Sequence, residues 1–262
     1  MEMKSGYYTT AGKYKKINQD SLCILAAETI LGEIVMAVVC DGMGGLKHGE
    51  IASAECIKGF MDWFNKELPN CISNGLEKNI IKYWSDLVNR INIRIRSYGF
   101  KETIELGTTV AAILILESKK FYGVNVGDSR IYKFDEGKLE QLTEDHSWIA
   151  REVKSGNMTW TEAKKDVRRN ILLQCVGRTR EISPNFFSGT LVGNGVFLLC
   201  SDGFWHEQEN EDLKEKMKEI SLNEDVEISE VLRKISIENT QRGEKDNITA
   251  VGIKICNRKG EK

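Results

Sequence analysis

The stretch EIVMAVVCDGMGG, Glu33 to Gly45, runs an apolar segment straight into an aspartate and then three glycines in four positions. Val35, Val38 and Val39 suit a buried strand, and Asp41-Gly42 suits the turn that ends one. Taken alone, Asp-Gly after such a run reads as a hairpin turn. Working outward, the same design recurs. VFLLCSDG delivers Asp202 at the end of another apolar run, and FYGVNVGDS delivers Asp128 at the end of a third. EKDNITAV sets Asp246 at the start of a fourth, and KINQDSLCIL sets Asp20 at the start of a fifth. Carboxylates gathered at one sheet edge repel one another severely unless cations lie between them. Oxygen-only ligation by carboxylates, a backbone carbonyl and water selects hard divalent ions, magnesium or manganese rather than zinc.

The periodicity between these points is mixed. Ile51, Ala54, Ile57, Met61, Phe64 and Leu68 recur at three- and four-residue steps and predict an amphipathic helix after the glycine turn. Leu76, Ile80, Trp84, Leu87, Ile91 and Ile95 predict a second, longer one. TTVAAILIL, KFYGVNV, SRIYKF and KLEQL then read as an antiparallel meander with turns such as DEGK. A mixed segment from Ser147 to Gly177 precedes a strand pair near FFSGTLVGNGVFLLCSDG. Two helical patterns span roughly Glu209 to Asn239, and NITAVGIKI closes as a strand. The pattern is α+β, with helices packed on antiparallel sheets.

Composition narrows the partners. The 262 residues are 41% hydrophobic and carry a net charge of -2, without a basic block or acidic tail, which argues against nucleic acid and anionic membrane. No apolar run approaches the length of a membrane span, and the N-terminal stretch has no signal-type apolar region. Seven scattered cysteines without a C-x-x-C pair read as reduced thiols in a cytoplasmic protein. With only Pro69 and Pro184 and no low-complexity stretch, no linker is visible.

Seven motifs in order, NQDS at Asn18, DGMGG at Asp41, GTT at Gly107, VGDSR at Val126, LTEDHS at Leu142, CSDGFW at Cys200 and KDNITAV at Lys245, resemble the protein phosphatase 2C family in its bacterial form. These are metal-dependent serine/threonine protein phosphatases. The resemblance covers about 12–255 and implies a four-layer α-β-β-α sandwich, two antiparallel sheets flanked by helices. It implies that 1–262 is a single catalytic domain with a flap at about 147–170. The implied reaction is hydrolysis of phosphoserine and phosphothreonine in proteins by a hydroxide bridging two manganese or magnesium ions. The implied partners are phosphoproteins and a cognate bacterial serine/threonine kinase, and a monomer is expected.

Carried over residue by residue, Asp41 resembles the carboxylate shared by both ions, and the Gly42 carbonyl a ligand of the second. Asp202 and Asp246 resemble ligands of the first ion, while Asp20 reaches the waters of the second. Asp128, with Asp202, resembles a weaker third-metal site. Gln19 stands where some members carry a glutamate. Where members carry a phosphate-gripping arginine, this chain has Lys15, which strand alternation would point away from Lys16. Met43 occupies the place of a histidine found in some eukaryotic members. His48 reads as a surface residue and His146 as structural.

Rival readings fail on spacing. A dinucleotide-binding turn would need glycine at Lys47. No Cys is followed six residues later by Arg, and there is neither Asp-x-Asp nor Gly-x-Ser-x-Gly. The alternative that stands is a phosphatase-like regulatory module binding phosphoproteins with little or no turnover.

Overall fold

VAAILIL forms strand β4, Val110–Leu116, and all its side chains are buried. Successive strand residues face opposite sides, so Val110, Ala112, Leu114 and Leu116 enter one apolar cluster and Ala111, Ile113 and Ile115 another. Strand β3, Gly32–Cys40, divides the same way, Met36, Val38 and Cys40 against Val35, Ala37 and Val39. A strand apolar on both faces must be covered on both. The computed structural model, which describes residues 2–43 and 48–256, shows by what.

Two antiparallel five-stranded sheets pack face to face. One has the order β2-β3-β4-β5-β8, with β2 Ser21–Thr29, β5 Lys120–Val126 and β8 Asn185–Thr190. The other has the order β1-β10-β9-β6-β7, with β1 Glu2–Thr10, β6 Arg130–Asp135, β7 Lys138–Gln141, β9 Gly195–Cys200 and β10 Ile248–Cys256. The cluster between them includes Phe121 and Phe197, edge to face with ring centroids 4.9 Å apart. Helices α1 Gly49–Asp62, α2 Leu68–Ser73 and α3 Leu76–Glu102 cover the first sheet, with Trp84 edge-on to both Phe60 and Trp63. Helices α6 Asp202–Trp205, α7 Asn210–Leu222 and α8 Ile228–Arg242 cover the second. The four-layer α-β-β-α sandwich is therefore the fold. Helices α4 Trp148–Lys154 and α5 Trp160–Ala163 lie in the mixed segment.

Several local expectations need correction. The first helix does not run unbroken to Leu68: Trp63–Glu67 form a π-helical turn and α2 restarts with Pro69, which has no N–H to continue the ladder. The expected meander is two hairpins in different sheets, because β4 and β5 belong to one and β6 and β7 to the other. The chain changes sheet at Gly127–Ser129, where Gly127 adopts φ 107°, a conformation suited to glycine. Strands β8 and β9 likewise lie in different sheets and are not a pair. Strand β1 was not expected at all: EMKSGYYTT has little apolar pattern, and of its residues only Gly6 is buried.

Register decides where the aspartates go. Ser21 pairs Cys40, Val39 pairs Ala111 and Val110 pairs Val126, so the start of β2 and the ends of β3 and β5 share one edge. In the second sheet Thr10 pairs Ile248, Ala250 pairs Cys200 and Cys200 pairs Arg130. The crossing at 127–129 and the crossing at 11–20 join those two edges into one end of the sandwich.

Candidate active site

Every predicted aspartate sits at that end. Asp20 and Asp41 come from the first sheet, Asp202 and Asp246 from the second, and Asp128 from the crossing between them. Lys15, Asp41, Asp128, Asp202 and Asp246 line one cavity of about 380 Å3, together with Asn170 and Leu172 of the mixed segment. Asp20 is buried, and its Oδ2 accepts a hydrogen bond from the Ser201 hydroxyl at 2.9 Å.

The GTT motif shapes the backbone at Asp41. The Asp41 N–H donates to Thr109 Oγ1 at 2.9 Å, while the Thr109 N–H and the Thr108 hydroxyl both donate to the Asp41 carbonyl at 2.9 Å. Thr109 Oγ1 also meets Ser129 Oγ at 2.6 Å, tying the Asp41 turn to the Asp128 crossing. Gly42 leaves no room for a side chain, since a Cβ there would lie 2.4 Å from the carbonyl oxygens of Gln19 and Gly49. Its N–H donates to the Gln19 carbonyl at 3.1 Å. Gly44 lies outside the described residues. Asn247 ties the 11–20 crossing to β10: its Oδ1 accepts from the Gln19 N–H at 2.9 Å, and its Nδ2 donates to the carbonyls of Ala11 and Ile17 at 3.1 Å.

Lys15 is in this crossing and not on a strand, so alternation does not govern its direction. Its Nζ lies 3.1 Å from Asp246 Oδ1, with both side chains one-third exposed, whereas Lys16 is exposed. Gln19 Nε2 donates to Glu50 Oε2 at 3.1 Å. Met43 lines the cavity, and its N–H donates to the Gly107 carbonyl at 3.1 Å. His48 is exposed, 3.7 Å from Glu50. His146 accepts the Gly127 N–H on Nδ1 at 3.2 Å and its backbone N–H donates to the Gly127 carbonyl at 2.8 Å, which braces the Asp128 crossing.

The electrostatics are those of crowded acid. Burial, then the charges of Asp20, Asp202, Asp128 and Asp246, push the Asp41 carboxyl well above the usual range. Burial raises Asp20 to about 7 despite hydrogen bonds from Thr249 and Ser201, with Asp202 and Asp246 adding to the rise. Asp128 also reaches about 7, through burial and the charges of Asp202 and Asp145. Asp202 is raised by burial, with His206 opposing and Asp246 and Glu244 reinforcing the shift. Asp20 Oδ1 and Asp202 Oδ1 are buried without a hydrogen-bond partner among the described residues. An all-oxygen set of mutually repelling carboxylates with orphaned oxygens fits a hard divalent cation. The side chains are gathered but not closed into a cage: among the described residues no three Asp, Glu, His or Cys side chains converge on one ion position.

Three features escaped the sequence reading. His206, one helical turn beyond Asp202, is buried against Asp202 and Glu244. Its spacing from Asp202 was visible, but Glu244 comes from a distant turn. The third is an aromatic clasp on Arg130. The Arg130 guanidinium pairs with Asp145 at 2.7 Å and lies 3.3 Å from the Trp205 ring centre and 5.3 Å from that of Trp160. Trp205 Nε1 in turn donates to the Asp128 carbonyl at 3.1 Å.

Known proteins resemble this chain in sequence and fold. Residues 11–235 match the family model described as Protein phosphatase 2C. The serine/threonine phosphatase stp of Listeria welshimeri is 28% identical over 254 residues, covering 95% of this chain and 94% of its own. The crystal structure of the serine/threonine phosphatase Stp1 from Staphylococcus aureus superposes with a TM-score of 0.85 at 26% identity, over 98% of this chain and 96% of that one. The catalytic domain of the serine/threonine protein phosphatase PstP, in complex with two manganese ions, superposes with a TM-score of 0.77 at 25% identity over 97% and 99% of the two chains. With its aspartates at one end of a four-layer sandwich and a match across most of its length, this chain belongs to the protein phosphatase 2C family, in its bacterial form.

Proposed function

We propose that this serine/threonine phosphatase hydrolyses phosphoserine and phosphothreonine in proteins at a binuclear manganese or magnesium centre held by its strand-end aspartates. The observation that carries the reading is the convergence of Asp20, Asp41, Asp128, Asp202 and Asp246 on one end of the sandwich, from both sheets and the crossing between them. Asp41 would be the carboxylate that serves both ions, and the Gly42 carbonyl would serve the second. Asp202 and Asp246 would serve the first ion, Asp20 would support the second through water, and Asp128 with Asp202 would offer a weaker third position. The two manganese ions in the complex of the PstP catalytic domain support a two-ion centre by analogy. When bound, such ions acidify water and neutralise charge on the phosphoryl oxygens.

The chain's own residues do the rest. Thr108 and Thr109 fix the Asp41 backbone, so the shared carboxylate is held before an ion arrives. Lys15 offers its ammonium at the cavity mouth, where it now rests on Asp246, and attracts the substrate phosphate. Asn170 and Leu172 form the wall contributed by the mixed segment, which acts as the flap of about 147–170. The core of about 12–255 works as one catalytic unit. Substrates are phosphoproteins, among them those of a cognate kinase.

The test is phosphate release from a phosphothreonine peptide with manganese and with excess EDTA. Turnover with the metal and none with the chelator is expected. Tight phosphopeptide binding with no release under either condition would instead identify a regulatory module.

A further inference from the structure

Behind the two ligands proposed for the first ion lies a buried pair that the family motifs do not include. Asp202 opens α6, and His206 follows one turn later, its N–H donating to the Asp202 carbonyl at 2.9 Å. The imidazole Nδ1 sits between two carboxylates, 3.9 Å from Asp202 Oδ2 and 3.8 Å from Glu244 Oε2. On the other side, Glu244 Oε1 accepts the backbone N–H of Lys245 at 2.6 Å and of Asp246 at 2.9 Å. One carboxylate therefore sets the turn that presents Asp246 and touches the imidazole that backs Asp202.

Burial makes this arrangement costly unless it is used. The His206 and Glu244 side chains are 9% and 4% exposed. His206 Nε2, Glu244 Oε2 and Asp202 Oδ1 have no hydrogen-bond partner among the described residues. The ring of His206 is fixed edge-to-face on Trp205 at 4.3 Å between centroids, so the imidazole does not swing freely. A third acid placed beside two repelling ligands, with a histidine between them, is difficult to explain as packing alone.

We propose that His206 and Glu244 are a positioning pair that sets the spacing of Asp202 and Asp246 for the ion they share. The inference rests on the metal reading of those two aspartates given above. His206 keeps the Asp202 carboxylate from turning away under repulsion, and Glu244 holds the Asp246 turn by its backbone. Neither residue touches substrate.

Manganese binding tests this without reference to turnover. The full chain, stripped with EDTA, is titrated with manganese by calorimetry and compared with His206→Leu, His206→Asn and Glu244→Ala. His206→Leu and Glu244→Ala are expected to bind manganese roughly 10–100-fold more weakly, the usual effect of losing a residue that orients a ligand. His206→Asn, whose amide nitrogen falls near the Nδ1 position, is expected to recover most of that affinity. The direction is informative, because an imidazole acting only as local positive charge would, when removed, leave cation affinity unchanged or raised. Unchanged or tighter binding in His206→Leu, or equal damage in His206→Asn, overturns the proposal. If His206→Leu does not fold, the isosteric Glu244→Gln carries the test, with weaker binding expected and wild-type binding overturning it. If the unaltered chain binds no manganese, the metal reading itself fails and takes this inference with it. Binding by the unaltered chain with wild-type affinity in every variant removes only the inference.

Discussion

Asp41 and Asp202 differ from Asp128 in what surrounds them, and substitution should separate them. Asp41 is pressed by four other aspartates, and Asp202 leaves a buried oxygen unpaired. Asp41→Asn and Asp202→Asn should each abolish turnover, while Asp128→Asn should slow hydrolysis of protein substrates yet keep two manganese ions by calorimetry. Equal loss of both ions in all three would show that Asp128 is no separate site. Lys15 makes a second case. A lysine is a point charge, where arginine presents a planar fork to phosphate. Lys15→Ala should raise KM more than it lowers kcat, and kcat/KM should fall roughly tenfold to a hundredfold, as for loss of a charge-assisted hydrogen bond of about 1.5–3 kcal/mol. Lys16→Ala is the control. Lys15 lines the aspartate cavity through the course of the 11–20 crossing and not through strand alternation.

At the scale of elements, the sequence was most readable where burial is two-sided and least where contact is distant. The alternation in β3 and β4 and the helical steps of α3 announced themselves, because each side chain's partner class follows from its period. Strand β1 did not, because it is an edge strand whose one fully buried residue is Gly6, packed against Ile228 and Ser229 of α8. Nor did turn chemistry reveal which sheet a hairpin joins, so the crossing that delivers Asp128 read as one more meander turn. The His206–Glu244 contact joins residues 38 positions apart by number (244 minus 206), and nothing local encodes it. Among the contacts that dock the mixed segment, beside the Lys164–Glu209 ion pair and buried Ile149, is the Arg130 clasp, in which Trp160 of α5 is the half-exposed outer ring. An exposed cation–π contact contributes about 0.5–1 kcal/mol, enough to hold a segment and too little to hold a fold. Trp160→Ala should therefore speed tryptic cleavage at Lys164, Lys165, Arg168 or Arg169 several-fold and leave the melting temperature within roughly 3 °C. A large loss of global stability would show that the segment is part of the core.

For the molecule as a whole, gathering acids at one end makes stability depend on pH and metal together. Asp20 and Asp128 are held at about 7 in the folded chain, by burial first and neighbouring carboxylates second, against 3.8 for an unperturbed aspartate. Between those values the folded state retains protons that the unfolded state has released, so raising pH favours unfolding. With EDTA present, the melting temperature should fall by roughly 5–10 °C from pH 5 to pH 8. Saturating manganese should remove most of that slope, since a bound cation stabilises the ionised acids. A metal-free melting temperature that climbs over this range would contradict the crowded-acid description.

The same burial extends to the sulfur atoms. Cys23, Cys40, Cys56, Cys71, Cys175 and Cys200 are buried free thiols, and Cys256 alone is half-buried. Cys23 is pushed up to about 12 by burial, so even a reagent that reached it would find almost no thiolate at neutral pH. A coloured disulfide reagent should therefore react quickly with one thiol per native chain and with all seven in denaturant. The six slow ones respond only when the sandwich opens, and the pace of their colour change is a clock for that opening. Added manganese should make the clock run slower.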